Sequence, residues 1–277
     1  MKLGHYNKLR IVRFTDHGAV LDGDGIDVLM PKKYTREDQH PGDEVEVFVY
    51  LDQSDRLVAT TERPYAEVGQ FAYLRVAWTN RYGAFMDWGL TKDLFVPFSE
   101  QRHHFMKDKS YLIYIYIDDQ TGRIVGTSKL DRNLSTDFPD VKDGDEVDVL
   151  VWKKTDLGFK VIVNNAYEGL IYDSEIFRPV TIGLRLQAFV KNVRPDGKID
   201  IILQHSGRQL VDDISEQLIA TLEANGGFLP YGDHTPPEII AKEFHISKKA
   251  FKRTLGALYR QHIVTITPEG ILLNATD

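Results

Sequence analysis

Three times along the chain a glycine is followed fourteen residues later by a second one: Gly4 and Gly18, Gly69 and Gly83, Gly144 and Gly158. Seven positions past the first glycine stands an aliphatic residue each time, Ile11, Val76 and Val151. The copies begin 65 and then 75 residues apart, and self-similarity at such a period marks one small domain repeated in tandem. Length alone would suggest about two domains of ~150 residues, and the repeat overrides that estimate. Units this small bury only about 60% of the surface their unfolded chains expose, so each gains from packing on a neighbour.

Within each copy the signals are those of strands. Short apolar or alternating runs recur, as in 45–49, 111–116 and 184–190, each followed by a turn and a further strand at 54–60, 121–127 and 195–201. Asp-Gly and Pro-Asp-Gly supply the turns, because glycine reaches positive φ without steric cost. About five strands per copy suits a small closed barrel of the OB type. After the second glycine, period-two alternation puts Ala19/Leu21, Ala84/Met86 and Phe159/Val161 on one apolar face, the expected barrel core. The opposite face carries Val20, Phe85 and Lys160, then Asp22, Asp87 and Ile162, and varies as an exterior would.

Past residue 209 the period changes. Ile214, Leu218, Ile219 and Leu222 recur at helical spacing and Asn225-Gly226-Gly227 ends the helix. Pro236-Pro237-Glu238 opens a second helix to about Phe244. Ser247 caps a third running to about Gln261. Residues 263–267, a Pro-Glu-Gly turn and 271–273 then form a hairpin, the element order of a winged helix-turn-helix. The chain is therefore read as mainly β with a C-terminal α+β unit: barrels at 1–64, 65–138 and 139–209, and a winged helix at 210–277.

Cysteine is absent, which excludes disulfides, thiol catalysis and cysteine zinc sites and is compatible with a reducing compartment. The first six residues hold no apolar stretch of signal-peptide length. The longest apolar run, 111–117, is far short of the ~20 residues that span a bilayer. A soluble, cytoplasmic protein with no membrane partner is expected. The net charge is −7, spread over the four segments as −3, 0, −1 and −3, so a polyanion site has to be a local patch.

The second copy carries Tyr82-Gly83-Ala84-Phe85-Met86-Asp87 and then Leu94-Phe95-Val96-Pro97-Phe98-Ser99-Glu100. This resembles the S1 RNA-binding domain, an OB barrel with Gly-Ala-Phe on its second strand and an apolar run plus Ser-Glu at the end of its third. The third copy echoes it in Gly169-Leu170-Ile171-Tyr172-Asp173-Ser174-Glu175, and the first has Asp27-Val28-Leu29-Met30-Pro31. Three such units followed by a winged helix resemble the bacterial conserved virulence factor B family over essentially the whole chain. That resemblance implies a non-catalytic RNA-binding regulator of mRNA stability or translation, with no cofactor. It also implies base stacking on the aromatics around Gly-Ala-Phe, positions matched by Tyr82 and Phe85 only. The first copy has His17 and Val20 there, the third Leu157 and Lys160. The histidine common at the end of the third S1 strand is missing, and Pro97 occupies that stretch.

Phe85 is the leading stacking candidate, its alternative being packing against a neighbouring domain. Tyr82 follows, although strict alternation sends it to the core unless a bulge at Gly83 turns it outward. Trp78, Arg81, Trp88 and Lys92 surround the strand and suit a single-strand groove, with ordinary loop packing as the alternative. Lys153, Lys154 and Lys160 make the matching surface of the third copy basic; they extend an electrostatic path or simply block edge pairing. The third C-terminal helix carries Lys248, Lys249, Lys252, Arg253 and Arg260 and no acid, with Ala250, Leu255, Ala257 and Leu258 toward its buried side. It reads as a phosphate-contacting helix for duplex nucleic acid or as a solvated face.

Asp22-Gly23-Asp24-Gly25-Ile26-Asp27 lacks the glycine and glutamate of a calcium loop and is read as a hairpin turn. His103-His104 has no second ligand pair at metal spacing and is read as loop, so no metal site is expected. Two further readings stand beside single-stranded RNA binding. One is a duplex-DNA transcription regulator whose barrels are protein-interaction arms, and the other a metal-dependent enzyme acting on nucleic acid.

Overall fold

The computed structural model describes residues 1–205 and 207–274. Each glycine-marked copy is a closed five-stranded barrel. The first comprises β1 (Tyr6–Thr15), β2 (Gly18–Asp22), β3 (Asp27–Pro31), β4 (Glu44–Leu51) and β5 (Leu57–Thr60). The second comprises β6 (Phe71–Thr79), β7 (Gly83–Asp87), β8 (Leu94–Pro97), β9 (Ser110–Ile117) and β10 (Ile124–Thr127). The third comprises β11 (Glu146–Thr155), β12 (Gly158–Val163), β13 (Tyr167–Tyr172), β14 (Arg185–Val193) and β15 (Ile199–Ile202). In every barrel the first three strands form an antiparallel meander. The fifth strand runs parallel to the third, and the fourth closes the barrel against the first.

The glycine pair marks two backbone crossings. The amide of the first glycine donates at 2.8 Å to a carbonyl of the closing strand: Gly4 to Val49, Gly69 to Ile115, Gly144 to Val190. The second glycine sits where the second and third strands press together. A Cβ on Gly18, Gly83 or Gly158 would stand 2.1, 2.3 or 1.9 Å from the carbonyl oxygen of Met30, Val96 or Ile171, closer than any side chain tolerates. The aliphatic residue between them is clamped from both sides. Ile11, Val76 and Val151 each donate to, and accept from, the turn ahead of the fourth strand, and all three are buried in their barrel cores.

Immediately after that clamp each first strand bulges, at Val12, Ala77 and Trp152. A bulge adds one residue and reverses the facing of the remainder of the strand. Without it Trp78 would share the inward face of Val76. With it, Arg13 pairs with Val20, Trp78 with Phe85 and Lys153 with Lys160, all on the outer face. The core face after the second glycine falls as the alternation predicts at Ala19, Leu21, Ala84, Met86 and Val161, all fully buried, but Phe159 is only half-buried, and two positions read as exterior, Val20 and Ile162, are buried as well.

The chain divides into two compact units, Met1–Leu134 and Ser135–Asp277. In the first, barrels one and two share a hydrophobic joint. Phe48, Tyr50 and Val58 leave the outer face of the first barrel and join the core of the second with Ala66, Trp88 and Leu90. Phe48 meets Trp88 edge-on at 5.8 Å. This joint supplies the neighbour packing that a barrel of this size needs.

In the second unit the third barrel is followed by α1 (Gly207–Ala224), β16 (Phe228–Leu229), α2 (Pro237–Phe244), α3 (Lys248–Arg260), β17 (Val264–Ile266) and β18 (Ile271–Leu273). The three short strands form one sheet in the order β16-β18-β17. The sequence pattern shows the hairpin but not β16, whose two residues are too few to register a period. Ser247 caps α3, its Oγ accepting from the Ala250 amide at 3.1 Å. The buried side of α3 is Phe251, Thr254, Leu255 and Leu258, with Ala250 and Ala257 half-buried at its margin. No helix among the described residues is long and apolar enough to cross a membrane.

Candidate functional site

The outer face of the second barrel carries three aromatic residues in one cross-strand row. Trp78 on β6 pairs with Phe85 on β7, and Phe85 with Phe95 on β8. The Trp78 and Phe85 rings are stacked, 3.7 Å between centroids and 3° between planes. Phe95 follows at 4.9 Å and 37°. Trp78 Nε1 donates to Asp93 Oδ2 at 2.7 Å, which fixes the roll of the indole.

The two stacked rings differ in exposure. Phe85 is half-buried and flanked on both sides, by Trp78 and by Phe95. Trp78 stays 44% exposed. The closing strand β9 pairs with β6 only as far as Arg75, so no paired strand lies beside the indole face turned away from Phe85. Phe85 is therefore the middle layer of the stack, and Trp78 presents the open ring. Phe95 was within reach of the sequence, since alternation along Leu94-Phe95-Val96 places it outward. Asp93 gives no sequence signal at all.

Tyr82 is exposed, but not through a bulge at Gly83. It lies in the turn ahead of β7, where the Asn80 side-chain oxygen accepts from the amides of Tyr82 at 2.8 Å and Gly83 at 3.2 Å. Arg81 folds over the Tyr82 ring, its guanidinium carbon 4.7 Å from the centroid.

Trp88 and Lys92 are not part of this face. Trp88 is buried in the joint between the first two barrels and donates from Nε1 to the Lys92 carbonyl at 2.6 Å. Lys92 Nζ donates back to the first barrel, to the carbonyls of Leu51 at 2.7 Å and Asp52 at 2.9 Å. Burial holds its amine below the ordinary lysine value. Four residues apart in sequence, these two read as groove residues, yet the turn after β7 bends them into the joint.

The outward lysines of the third barrel are engaged locally. Lys160 Nζ donates to Glu168 Oε1 at 2.7 Å and Lys154 pairs with Asp173. Lys153 and Lys160 both lie over the buried Trp152 ring, at 4.8 and 5.8 Å. The expected basic path is thus largely neutralised by its own neighbours. In the first barrel the matching row is Arg13, Val20 and Leu29, with Arg13 paired to Asp27 at 2.6 Å.

On α3, Lys249, Lys252 and Arg253 are exposed and Lys248 is half-buried. Lys252 pairs with Asp233 at 3.2 Å. The N-terminal turn of α3 faces the third barrel: Ser247 and Ala250 line a cleft with Gln204, His205 and Phe177. Gln204 Nε2 donates to the His245 carbonyl at 2.6 Å, and His245 Nδ1 lies 3.3 Å from the Phe177 carbonyl oxygen. Among the described residues no group of three or more metal-ligating side chains is assembled.

Comparison with known proteins bears on both ends of the chain. The S1 domain family matches residues 3–62, and the CvfB-like winged helix domain family matches residues 216–273. A Bacillus subtilis (strain 168) protein named Uncharacterized protein YitL is 28% identical over 269 residues, 94% of this chain and 90% of that one. Conserved virulence factor B of Staphylococcus epidermidis is 23% identical over 259 residues, 91% of this chain and 87% of that one. A crystal structure of a multidomain protein with nucleic acid binding domains from Streptococcus pneumoniae covers 98% of both chains at 24% identity and a TM-score of 0.44. The S1 match falls on the first barrel, whereas the aromatic row stands on the second.

Proposed function

The chain is a homologue of the conserved virulence factor B proteins, with S1-type barrels ahead of a CvfB-like winged helix, and we propose that it binds single-stranded RNA, mRNA foremost, as a post-transcriptional regulator without catalytic activity. S1 and winged-helix domains are nucleic-acid-binding folds, and together they point to a nucleic-acid-binding regulator. The observation that carries the finer reading is the stack of Trp78, Phe85 and Phe95. An open aromatic face takes an unpaired base and has no use for a base pair already stacked within a duplex. Stacking on such a face is tolerant of sequence.

The duplex reading finds less support in α3. Groove-reading helices of this type present their N-terminal residues to base edges, and here that turn faces the third barrel, with His245 bonded to Gln204. The cations further along α3 suit phosphate contacts, which add affinity without reading sequence. Weak sites on linked domains reinforce one another through effective concentration, so a chain of net charge −7 needs only local basic patches.

The test compares full-length chain, Trp78→Ala and the double variant Lys249→Glu/Arg253→Glu. Binding to labelled single-stranded RNA and to duplex DNA of equal length is measured at two salt concentrations. Preference for RNA, weakened by salt and largely lost in Trp78→Ala, is expected. Equal or tighter duplex binding that only the α3 double variant abolishes overturns the proposal.

A further inference from the structure

The winged helix carries a small cleft of its own, far in sequence from the aromatic row. It opens between the start of α1 and the first two turns of α3 and has a volume of about 160 Å³. Leu210, Val211 and Ile214 wall it from α1, and Ala250 walls it from α3. Ile214 is buried and the other three are half-buried. Ala250 and Thr254 stand one turn apart on the side of α3 that lines the cleft. Their small side chains leave between the helices the space that a leucine or phenylalanine would fill.

The mouth of the cleft is cationic. Lys249 and Arg253 both line it, one turn apart on α3, and both are exposed. Like charges at that spacing repel each other. Lys252 on the same helix is paired with Asp233, whereas Lys249 and Arg253 have no carboxylate partner among the described residues. No acidic side chain lines the cleft. The capped N-terminus of α3 at Ser247 adds the positive end of its dipole at the same place. Thr254 is fully buried, and its Oγ1 has no hydrogen-bond partner among the described residues. The hydroxyls of Ser215 and Thr221 on α1 behave differently, each donating at 2.7 Å to the carbonyl four residues earlier. A buried hydroxyl without a partner costs stability, and a ligand atom that pairs with it recovers the loss.

These features select one kind of occupant. Apolar walls call for an apolar body, two uncompensated cations for an anion, and the bare hydroxyl for a polar atom at the opposite end. An apolar cavity of about 150 Å³ accommodates benzene, so the body is a single ring. We propose that the α1–α3 cleft is a binding site for a small aromatic carboxylate. The ring lies between Ile214 and Ala250, the carboxylate meets Lys249 and Arg253, and a ring hydroxyl meets Thr254. This site is independent of the RNA reading and stands or falls without it.

The test titrates the full chain calorimetrically with para-hydroxybenzoate and with benzoate. Para-hydroxybenzyl alcohol keeps the ring without the charge, and acetate and inorganic phosphate keep a charge without the ring. The variants are the double substitution Lys249→Gln/Arg253→Gln and Thr254→Val. The first changes exposed side chains, and the second replaces an unpaired hydroxyl by a methyl group of the same shape, so neither should lower the melting temperature. Both acids should bind the parent at one per chain, the hydroxylated one more tightly, and the alcohol, acetate and phosphate should fail to displace them at equal concentration. The double variant should weaken both acids at least about tenfold, the effect of removing a charge-assisted bond. Thr254→Val should weaken para-hydroxybenzoate several-fold and leave benzoate unchanged. The proposal is overturned if the parent shows no saturable binding of either acid, or if the double variant binds them as the parent does. It is equally overturned if phosphate displaces them, which marks a plain anion site, or if Thr254→Val lowers both acids alike.

Discussion

Trp78 lies flat on Phe85, 3.7 Å away and 3° from parallel, although the two stand on neighbouring strands and only the indole keeps an open side. The arrangement depends on the bulge at Ala77, which carries Trp78 out of the core phase set by Val76. It sets an order of sensitivity. Trp78→Ala removes the contact ring and should weaken single-stranded RNA binding by about 5- to 150-fold, the equivalent of one stacked base. Phe85→Leu keeps volume beneath the indole and should cost several-fold less. Tryptophan fluorescence checks the assignment: Trp88 and Trp152 are buried, so quenching by RNA should come from Trp78 and vanish in Trp78→Phe. Equal losses in Trp78→Ala and Phe85→Leu would contradict the layered reading.

Asp93 positions the indole through its bond to Nε1 and adds a negative charge beside the path of a polyanion. The two roles separate by substitution. Asp93→Asn keeps an oxygen acceptor and removes a charge whose repulsion salt would otherwise screen, so it should bind RNA at least as tightly as the parent and with a steeper salt dependence. Asp93→Leu removes the acceptor and should lower affinity several-fold, with melting unchanged. Anisotropy titrations of both variants at two salt concentrations read the difference.

The joint between the first two barrels should behave as one cooperative structure. Trp88 is buried against Phe48, and Lys92 closes two carbonyls of the first barrel. Trp88→Ala should destabilise residues 1–134 by about 3–5 kcal/mol, the usual range for removing a large buried ring. A fragment of the second barrel alone should melt well below the two-barrel fragment 1–134. Urea denaturation of the two fragments and the variant measures both effects.

Much of the scaffold is legible in the sequence because backbone crossings leave residue-type signatures. Gly18, Gly83 and Gly158 are glycines since a carbonyl occupies the place of their Cβ, and Ile11, Val76 and Val151 are aliphatic since they fill barrel cores. The site is less legible. Its phase is set by a bulge at Ala77, and neither Val12, Ala77 nor Trp152 shares a residue type that would announce one. Trp88 and Lys92 are diverted by a contact between barrels, a long-range event that local pattern does not encode. The lysines of the third barrel read as a basic patch because their partners Glu168 and Asp173 lie on another strand or past its end.

Burial in that same joint pushes the Tyr50 hydroxyl up to about 12, with Tyr34, Glu62 and Asp52 acting in the same direction. An unfolded tyrosine ionises near pH ~10. The folded state therefore holds its proton where the unfolded chain gives it up. Stability is unaffected by this group below about pH 10 and falls as pH rises from there toward 12. Tyr50→Phe has no proton to lose, so its alkaline decline should be shallower than the parent's. Melting temperatures of the two chains between pH 8 and pH 12 should run parallel up to about 10 and converge or cross above it. Parallel curves throughout would place Tyr50 in contact with solvent.

Local pairing of the third-barrel lysines sets an expectation for salt dependence. A cation that releases counterions from single-stranded nucleic acid contributes about 0.7 to the slope of log affinity against log salt. Arg81 packs over the exposed Tyr82 ring at the end of the aromatic row, with its charge uncommitted to any carboxylate among the described residues, so Arg81→Gln should lower the slope by about 0.7. Lys160 is committed to Glu168 at 2.7 Å, so a phosphate would have to displace a carboxylate already in place. Lys160→Gln should leave the slope within error, and Glu168→Gln, by releasing the lysine, should raise it. A titration series in potassium chloride on the three variants separates these outcomes. A drop of the full increment in Lys160→Gln would mean that RNA reaches the third barrel directly.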